Sequence, residues 1–547
     1  MDLRAGNPLK RASTAHGTPS PARLRALADR AGGLLMVGFD GTTSQDAPLE
    51  FVEGIAGAIL FKRNLRDARQ TLDLTEALQA AGRAGGARPL LIAIDQEGGS
   101  VSRLSAFGTT TPSAMALGAA GDPALTELVY RAVGTELRAL GVNFDFAPVA
   151  DINSDPANPV IGVRSFGDDP EAVALHVAAA VRGLRSARVA ATAKHFPGHG
   201  DTKVDSHLDL PVLQHDLARL LSREAVPFRA AAAAGVEAIM TAHISFPEVE
   251  ASGLPATMSP AILTGLLRQQ LGYRGVICTD CMEMSAVAAR YGAGEAACAA
   301  VSAGADLVLF SHSGTLAREA VNGLRAAIFE GRLDADQIEL SLSRIEALRD
   351  HLGAFASGDL DQVGSSYHRR VAIEAALRCV TCVRDPQRVL PLRCAHGDRI
   401  LVVQFVGDAM SPVEGSRAAG TSLGKRLESK AARVHEQFRS LDPAGHEYKQ
   451  LLMAAGTATA VVAVTRRAAQ HPLQARAVAD LAMLGKPLVV VAAREPYDAC
   501  RVPPEVTVLA AYGDDDVTME AVAEFLLGPA KPVGRLPVRL PPVAVST

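Results

Sequence analysis

The chain has 547 residues with 55 basic and 59 acidic side chains and a formal charge of −4, several times an ordinary domain length, so two domains with a sizeable core are expected. The charges are spread along the chain without the basic stripe that neutralises phosphates, which sets nucleic acid aside as a partner. No run approaches the roughly 20 apolar residues of a spanning helix, so no membrane partner is expected either.

Residues 1–22 are rich in Pro, Ser, Thr and basic side chains and are expected to be a loose tail. Arg4, Lys10, Arg11 and Arg23 interrupt any apolar signal core, and the seven cysteines are an odd, scattered set. A reduced, cytoplasmic protein is the expectation.

From there a regular alternation begins. Short apolar runs recur at 33–40, 55–61, 89–95, 143–151, 189–195, 238–243, 276–280 and 307–310, with helix-patterned segments such as 123–140, 170–185 and 217–234 between them. Eight strand-then-helix units predict an α/β fold whose first part is a (β/α)8 TIM-type barrel over residues 23–352. Polar residues cluster at the ends of the runs: Asp40, Lys62, Arg63 and Asn64, Asp95, Asp145 and Asp151, Lys194 and His195, His243, Asp280, Ser311 and His312. In a parallel barrel those ends open on one face, so residues distant in sequence converge there. Asp40 and Ser311 fit turn or helix caps equally well.

A Gly/Ser-containing stretch at 353–366 reads as a linker, and a second domain is expected over 367–547. Its runs at 400–406, 460–464, 487–493 and 506–511, separated by helical segments, suggest a smaller open α/β sheet. It shows no Gly-rich phosphate loop, so no nucleotide cofactor is expected.

The densest polar segment runs from Lys194 through His195, Gly198, His199, Asp201 and Asp205 to His207, with Gly and Pro interleaved. So much charge in a flexible loop makes a poor core element, because burial without partners costs several kcal/mol. Two chemistries suit it. His195, His199, Asp201 and His207 have the ligand types of a hydrolytic metal site; alternatively Asp205 orients and charge-stabilises His207 as a general acid/base. Spacing does not separate them. Cys278-x-x-Cys281 and Cys379-x-x-Cys382 lie about a hundred residues apart, far beyond zinc-finger spacing, and read as incidental thiols.

Three more segments carry chemistry. In Gly275–Val–Ile–Cys–Thr–Asp280 an apolar strand ends in a carboxylate, which suits a nucleophile at an anomeric carbon and suits a helix N-cap equally well. Asp95-Gln-Glu-Gly-Gly-Ser-Val-Ser-Arg103 places a carboxylate beside glycines that let backbone approach a sugar ring. Arg164, in Ile-Gly-Val-Arg-Ser-Phe-Gly, offers a guanidinium fork for substrate oxygens. Against a sugar ligand stands the absence of Trp, with aromatics at only 4%, because indole faces are a common platform for pyranose rings.

Together these four segments resemble glycoside hydrolase family 3, in its β-N-acetylglucosaminidase branch. Lys194 to His207 is similar to that branch's KHFPGHGDT…DSH signature, the strand to Asp280 to its nucleophile strand, and Asp95 to Arg103 to its DQEGG…R segment. The stretch from Glu374 to Leu392, and Gly534-Arg-Leu-Pro-Val538, look like the family's C-terminal α/β domain. The resemblance implies that Asp280 is the nucleophile of a retaining hydrolase and that Asp205 with His207 forms its acid/base dyad. It implies that Asp95, Arg103, Arg164, Lys194 and His195 contact a terminal β-linked N-acetylglucosamine, with neither metal nor other cofactor required. Cell-wall muropeptide or chitin-type fragments are the implied substrates. Ser100 and Ser102 stand where the family commonly has Arg and Gln, and Cys281-Met282 where it has a different pair, which bears on preference beyond the terminal sugar. Rival readings are phosphorolysis, β-glucosidase-type specificity and a non-catalytic sugar-binding protein.

Overall fold

The computed structural model describes residues 19–542 apart from 48–53, 83–87, 354–357, 396, 408–413, 415–421 and 431–432. The expected tail at 1–22 therefore lies, as far as residue 18, outside the described residues. By Pro21 the chain is already in a helix, Pro21–Asp29, capped by the Ser20 hydroxyl.

All eight expected runs become strands of one closed parallel barrel: β1 Leu35–Gly38, β2 Gly57–Leu60, β3 Leu91–Ile94, β4 Phe144–Asp145, β5 Ala190–Phe196, β6 Ala238–Thr241, β7 Val276–Cys281 and β8 Leu307–Phe310. β8 pairs with β1, so no edge is left unpaired. Helices pack outside, and Asp–Pro pairs start two of them. Asp122 caps Pro123–Ala139 and Asp169 caps Pro170–Ser186, each carboxylate accepting backbone N–H groups of the first turn while proline fills the first helical position. The expected helix at 217–234 forms with a wider π turn at Leu220–Glu224.

The second domain is a six-stranded sheet in the order β11-β10-β12-β13-β14-β9. Its strands are β9 Thr381–Arg384, β10 Arg399–Val406, β11 Arg433–Ser440, β12 Ala460–Thr465, β13 Leu488–Ala492 and β14 Thr507–Ala510. β9 alone runs antiparallel, against β14. The two-residue strand period divides the core. Val462 and Val464 face one apolar layer with Leu423, Val522 and Phe525; Val461 and Ala463 face another with Leu451, Val478 and Leu481. Among the described residues no helix is long and apolar enough to cross a membrane.

Candidate active site

The carboxyl-terminal mouth of the barrel holds a cavity of about 360 Å³, a size typical of small-molecule sites. Phe61, Phe146, Met240, Met284 and Leu309 form apolar wall; Asp95, Arg103, Arg164, Lys194, His195, His207 and Asp280 bring polar groups. Seven of the eight residues expected from the sequence thus line one space. The eighth, Asp205, sits buried behind His207.

Lys194, at the end of β5, extends its ammonium between two carboxylates, 2.7 Å from Asp95 Oδ1 and 2.7 Å from Glu97 Oε1. Arg164 meets Glu97 side-on, with Nε and Nη2 each donating over 2.8 Å, and Arg103 Nη2 lies 3.8 Å from Asp95 Oδ2. Burial alone would neutralise such groups. The surrounding opposite charges outweigh it, holding Glu97 well below the usual carboxylate range and raising Lys194 and Arg164. The floor is therefore a fixed lattice of alternating charges.

His195 directs Nδ1 to Asp151 Oδ2 at 2.7 Å. Asp151 also accepts the backbone N–H groups of His195 and His199. Its carboxyl is held low, burial opposing and the two imidazoles prevailing. A charged carboxylate only accepts, so Nδ1 carries the proton and Nε2 is the ring nitrogen left to the cavity.

Asp280 ends β7, its Oδ1 accepting the Cys281 N–H at 2.7 Å. Burial pushes this carboxyl up, but the imidazoles of His195, His243 and His207 and that N–H bring it below its ordinary value. His243 braces the strand end: its Nε2 donates to the Cys281 carbonyl over 2.9 Å, and its Nδ1 lies 2.8 Å from the Thr257 hydroxyl. Asp280 is thus an ionised carboxylate on a fixed backbone at the cavity wall.

The loop after β5 carries the remaining pair. Asp205 Oδ1 accepts both the backbone N–H of His207, at 2.9 Å, and its Nδ1–H, at 2.6 Å. This leaves Nε2 to exchange protons. The His207 side chain is 26% exposed against 6% for Asp205, so the imidazole reaches solvent while its partner stays fixed. The loop lies against the segment that follows Asp280: Ala286 N–H reaches Ser206 O at 3.4 Å, and Arg290 pairs with Asp209 at 2.9 Å.

The alternative metal set does not converge. Asp201 turns to His215 Nε2 and Arg219, at 2.8 and 3.0 Å, and His199 is held between Thr202 and Ser206. Among the described residues no group of three His, Cys, Asp or Glu side chains is placed to hold a metal ion.

A family model described as the glycosyl hydrolase family 3 N-terminal domain matches residues 26–348. The chain belongs to glycoside hydrolase family 3. A solved family 3 β-N-acetylglucosaminidase from Paenibacillus sp. str. FPU-7 superposes with a TM-score of 0.87 at 40% identity, covering 95% of this chain and 99% of that one. β-Hexosaminidase A of Pseudoalteromonas piscicida is 38% identical over 62% of this chain, which spans 61% of that protein's length. A β-hexosaminidase of Stenotrophomonas maltophilia (strain K279a) is 39% identical over 51% of this chain and 83% of its own.

Within this family 3 site, sequence reasoning gave Glu97 no role, placed Asp151 only among the polar strand ends, and offered His199 only as a metal ligand. A charge count signals the first. Among the expected sugar contacts, Arg103, Arg164 and Lys194 are three cations converging with Asp95 as the one anion, and buried cations require compensation. Glu97, two residues from Asp95, was the nearest carboxylate to supply it.

Proposed function

We propose that the protein is a retaining β-N-acetylhexosaminidase that removes terminal non-reducing β-linked N-acetylglucosamine through a covalent glycosyl ester on Asp280. The observation that carries this reading is the Asp205–His207 pair at the same cavity as Asp280. A histidine whose Nδ1 is held by a carboxylate has Nε2 ready to protonate a leaving oxygen and then to deprotonate water. Asp280, ionised and aimed into the cavity, attacks the anomeric carbon in the first step and leaves it in the second, so configuration is retained. Asp95, Arg103, Arg164, Lys194 and His195 hold the sugar hydroxyls and acetamide, and the apolar wall of Phe61, Phe146 and Met240 stands in for the missing indole platform. The solved and curated relatives named above support the choice of an N-acetylated sugar.

On this reading residues 23–352 are the catalytic domain, joined through 353–366 to a second domain at 367–547. Cytoplasmic turnover of muropeptide or chitin-type fragments fits the seven free cysteines. Cell fractionation and assays on both fragment classes test that assignment.

The reaction itself is tested with a para-nitrophenyl N-acetyl-β-glucosaminide followed by proton NMR, where the β-anomer is expected to appear first. A 5-fluoro glycosyl fluoride should label the Asp280 peptide in a mass spectrum. Initial release of the α-anomer, or absence of cleavage, overturns the reading. Running the same assay with phosphate separates hydrolysis from phosphorolysis, since a sugar phosphate as main product identifies the latter.

A further inference from the structure

Every described side chain lining the cavity comes from the barrel, the last in sequence being His312. The second domain nevertheless grips one wall of the site. The loop between β4 and the helix Pro170–Ser186 presents Arg164 from a short 3-10 turn, Gly162–Arg164. Its apolar residues Val160 and Ile161 form with Val149 a small cluster separate from the barrel core, which Val163 and Phe166 join from the other side of the turn, so core packing holds the stretch from Val163 onward more than the stretch from Asn158 to Gly162 before it. Asn158 braces it from within, its Oδ1 accepting the N–H groups of Val160 and Ile161.

What backs the loop lies beyond the barrel. Arg467, two residues after β12, donates from Nη2 to the Pro159 carbonyl at 3.1 Å and lies 3.4 Å from Glu495 Oε1. Glu495, beyond the end of β13, rests on Gly162 so closely that a Cβ there would meet Oε1 at 2.1 Å. Gly162 has φ +43° and Arg467 φ +52°; for arginine that conformation is costly and persists only where the surroundings impose it. At the start of the loop, Asn153 Nδ2 donates to Tyr497 Oη at 2.9 Å. The Glu495 carboxyl is held at about 2, burial opposing and Arg467 and Arg494 outweighing it, so the clamp is ionic.

We propose that Arg467 and Glu495 are positioning residues for substrate binding, fixing from the second domain the loop that aims Arg164 at the sugar. The inference rests on the reading of Arg164 as a sugar contact. A guanidinium fork binds by direction as well as by charge, so a loop free to shift by a fraction of an ångström loses binding without losing the reacting groups.

The test uses the full chain with Arg467→Ala, Arg467→Lys, Arg164→Lys and the Arg164→Lys/Arg467→Ala double variant. Arg467→Ala is expected to raise KM for the chromogenic glucosaminide about tenfold while kcat falls less than about threefold, and Arg467→Lys to recover most of that loss. In the Arg164→Lys background, Arg467→Ala should change KM by less than about twofold, because both changes act through one group. Deuterium exchange of the amides at 158–164 should rise in Arg467→Ala. An unchanged KM in Arg467→Ala, additive effects in the double variant, or unchanged exchange at 158–164 overturns the proposal. If the wild type cleaves no glucosaminide, the activity reading falls while the exchange measurement still decides the clamp.

Discussion

Glu97 receives Arg164 and Lys194 together: two parallel 2.8 Å bonds from the guanidinium and a 2.7 Å contact from the ammonium share one buried carboxylate. Removing one member of a buried ion cluster leaves the others uncompensated, at a typical cost of about 3–5 kcal/mol. Glu97→Gln, which keeps the shape, is therefore expected to lower stability by that order and to lower kcat/KM by about a hundredfold or more, since both cations are released from their aim. Thermal melting and steady-state kinetics check the two together. A variant that melts and turns over like wild type would show that the charge lattice is ornamental.

Asp280 is held more lightly. Among the described residues its one hydrogen bond is from the adjacent Cys281 N–H, and nearby imidazoles rather than a paired cation offset the burial of its charge. Asp280→Asn should thus change the melting temperature little, lowering it if at all, because a carboxyl held below its ordinary value favours the folded state when ionised, while kcat drops at least about a thousandfold, as expected when a covalent nucleophile is lost. Near-normal turnover would remove Asp280 from the mechanism; a large fall in melting temperature would mean that it is chiefly structural.

The barrel was legible because each strand is an apolar run that ends in polar residues, a pattern imposed by a buried sheet with its site at one mouth. β4 spans only Phe144–Asp145 although the run extends to residue 151, because the chain leaves the barrel to carry Asp151 beneath His195. In the second domain β10, β12, β13 and β14 were legible for the same reason. β11 was not: Arg433–Ser440 is an edge strand paired on one side with no fully buried residue, so its alternation of Arg, His, Gln and Arg with Val, Glu, Phe and Ser carries little apolar signal. β9 is four residues and antiparallel. At the site, the grouping of Asp95, Lys194 and Asp280 was legible from strand ends, and His207 from the polar loop that follows Lys194. Glu97 and Asp151 act on residues 67 and 44 positions away, and nothing local to either marks that partnership.

The tether between Asp205 and His207 makes a leaving-group prediction. General acid help is worth about a hundredfold to ten-thousandfold, and only where the departing oxygen needs a proton. His207→Ala should lose that much on an alkyl or sugar aglycone and far less on a dinitrophenyl glycoside, whose phenolate leaves unaided. Asp205→Asn should fall between wild type and His207→Ala on both. Equal losses across aglycones would indicate that His207 shapes the loop and transfers no proton.

The last prediction concerns acid. His199 and His176 are buried and burial pushes each imidazole down to about 4 from an ordinary 6.5. Above pH 6.5 both are neutral folded or unfolded and stability does not depend on them. Between 6.5 and 4 the unfolded chain takes up protons that the native protein refuses, so stability falls as pH falls through that window, by about 3 kcal/mol for each group by its end. Against a total that is commonly 5–15 kcal/mol, this is a large share. His199 also ties the site to the window. With Nδ1 donating to Thr202, its Nε2 accepts from the Ser206 hydroxyl at 3.0 Å, inside the loop between Asp205 and His207. Protonation removes that acceptor, so the dyad loop should loosen before the barrel unfolds. Melting curves at half-unit steps from pH 7.5 to 4.5, compared with His199→Gln and His176→Gln, read the effect as one proton less in the acid slope for each variant. For His199→Gln the loss of kcat on the acid side should also flatten. Slopes identical to wild type in both variants would mean that these imidazoles are already protonated in the folded protein, and that the bond to Ser206 is not the one described.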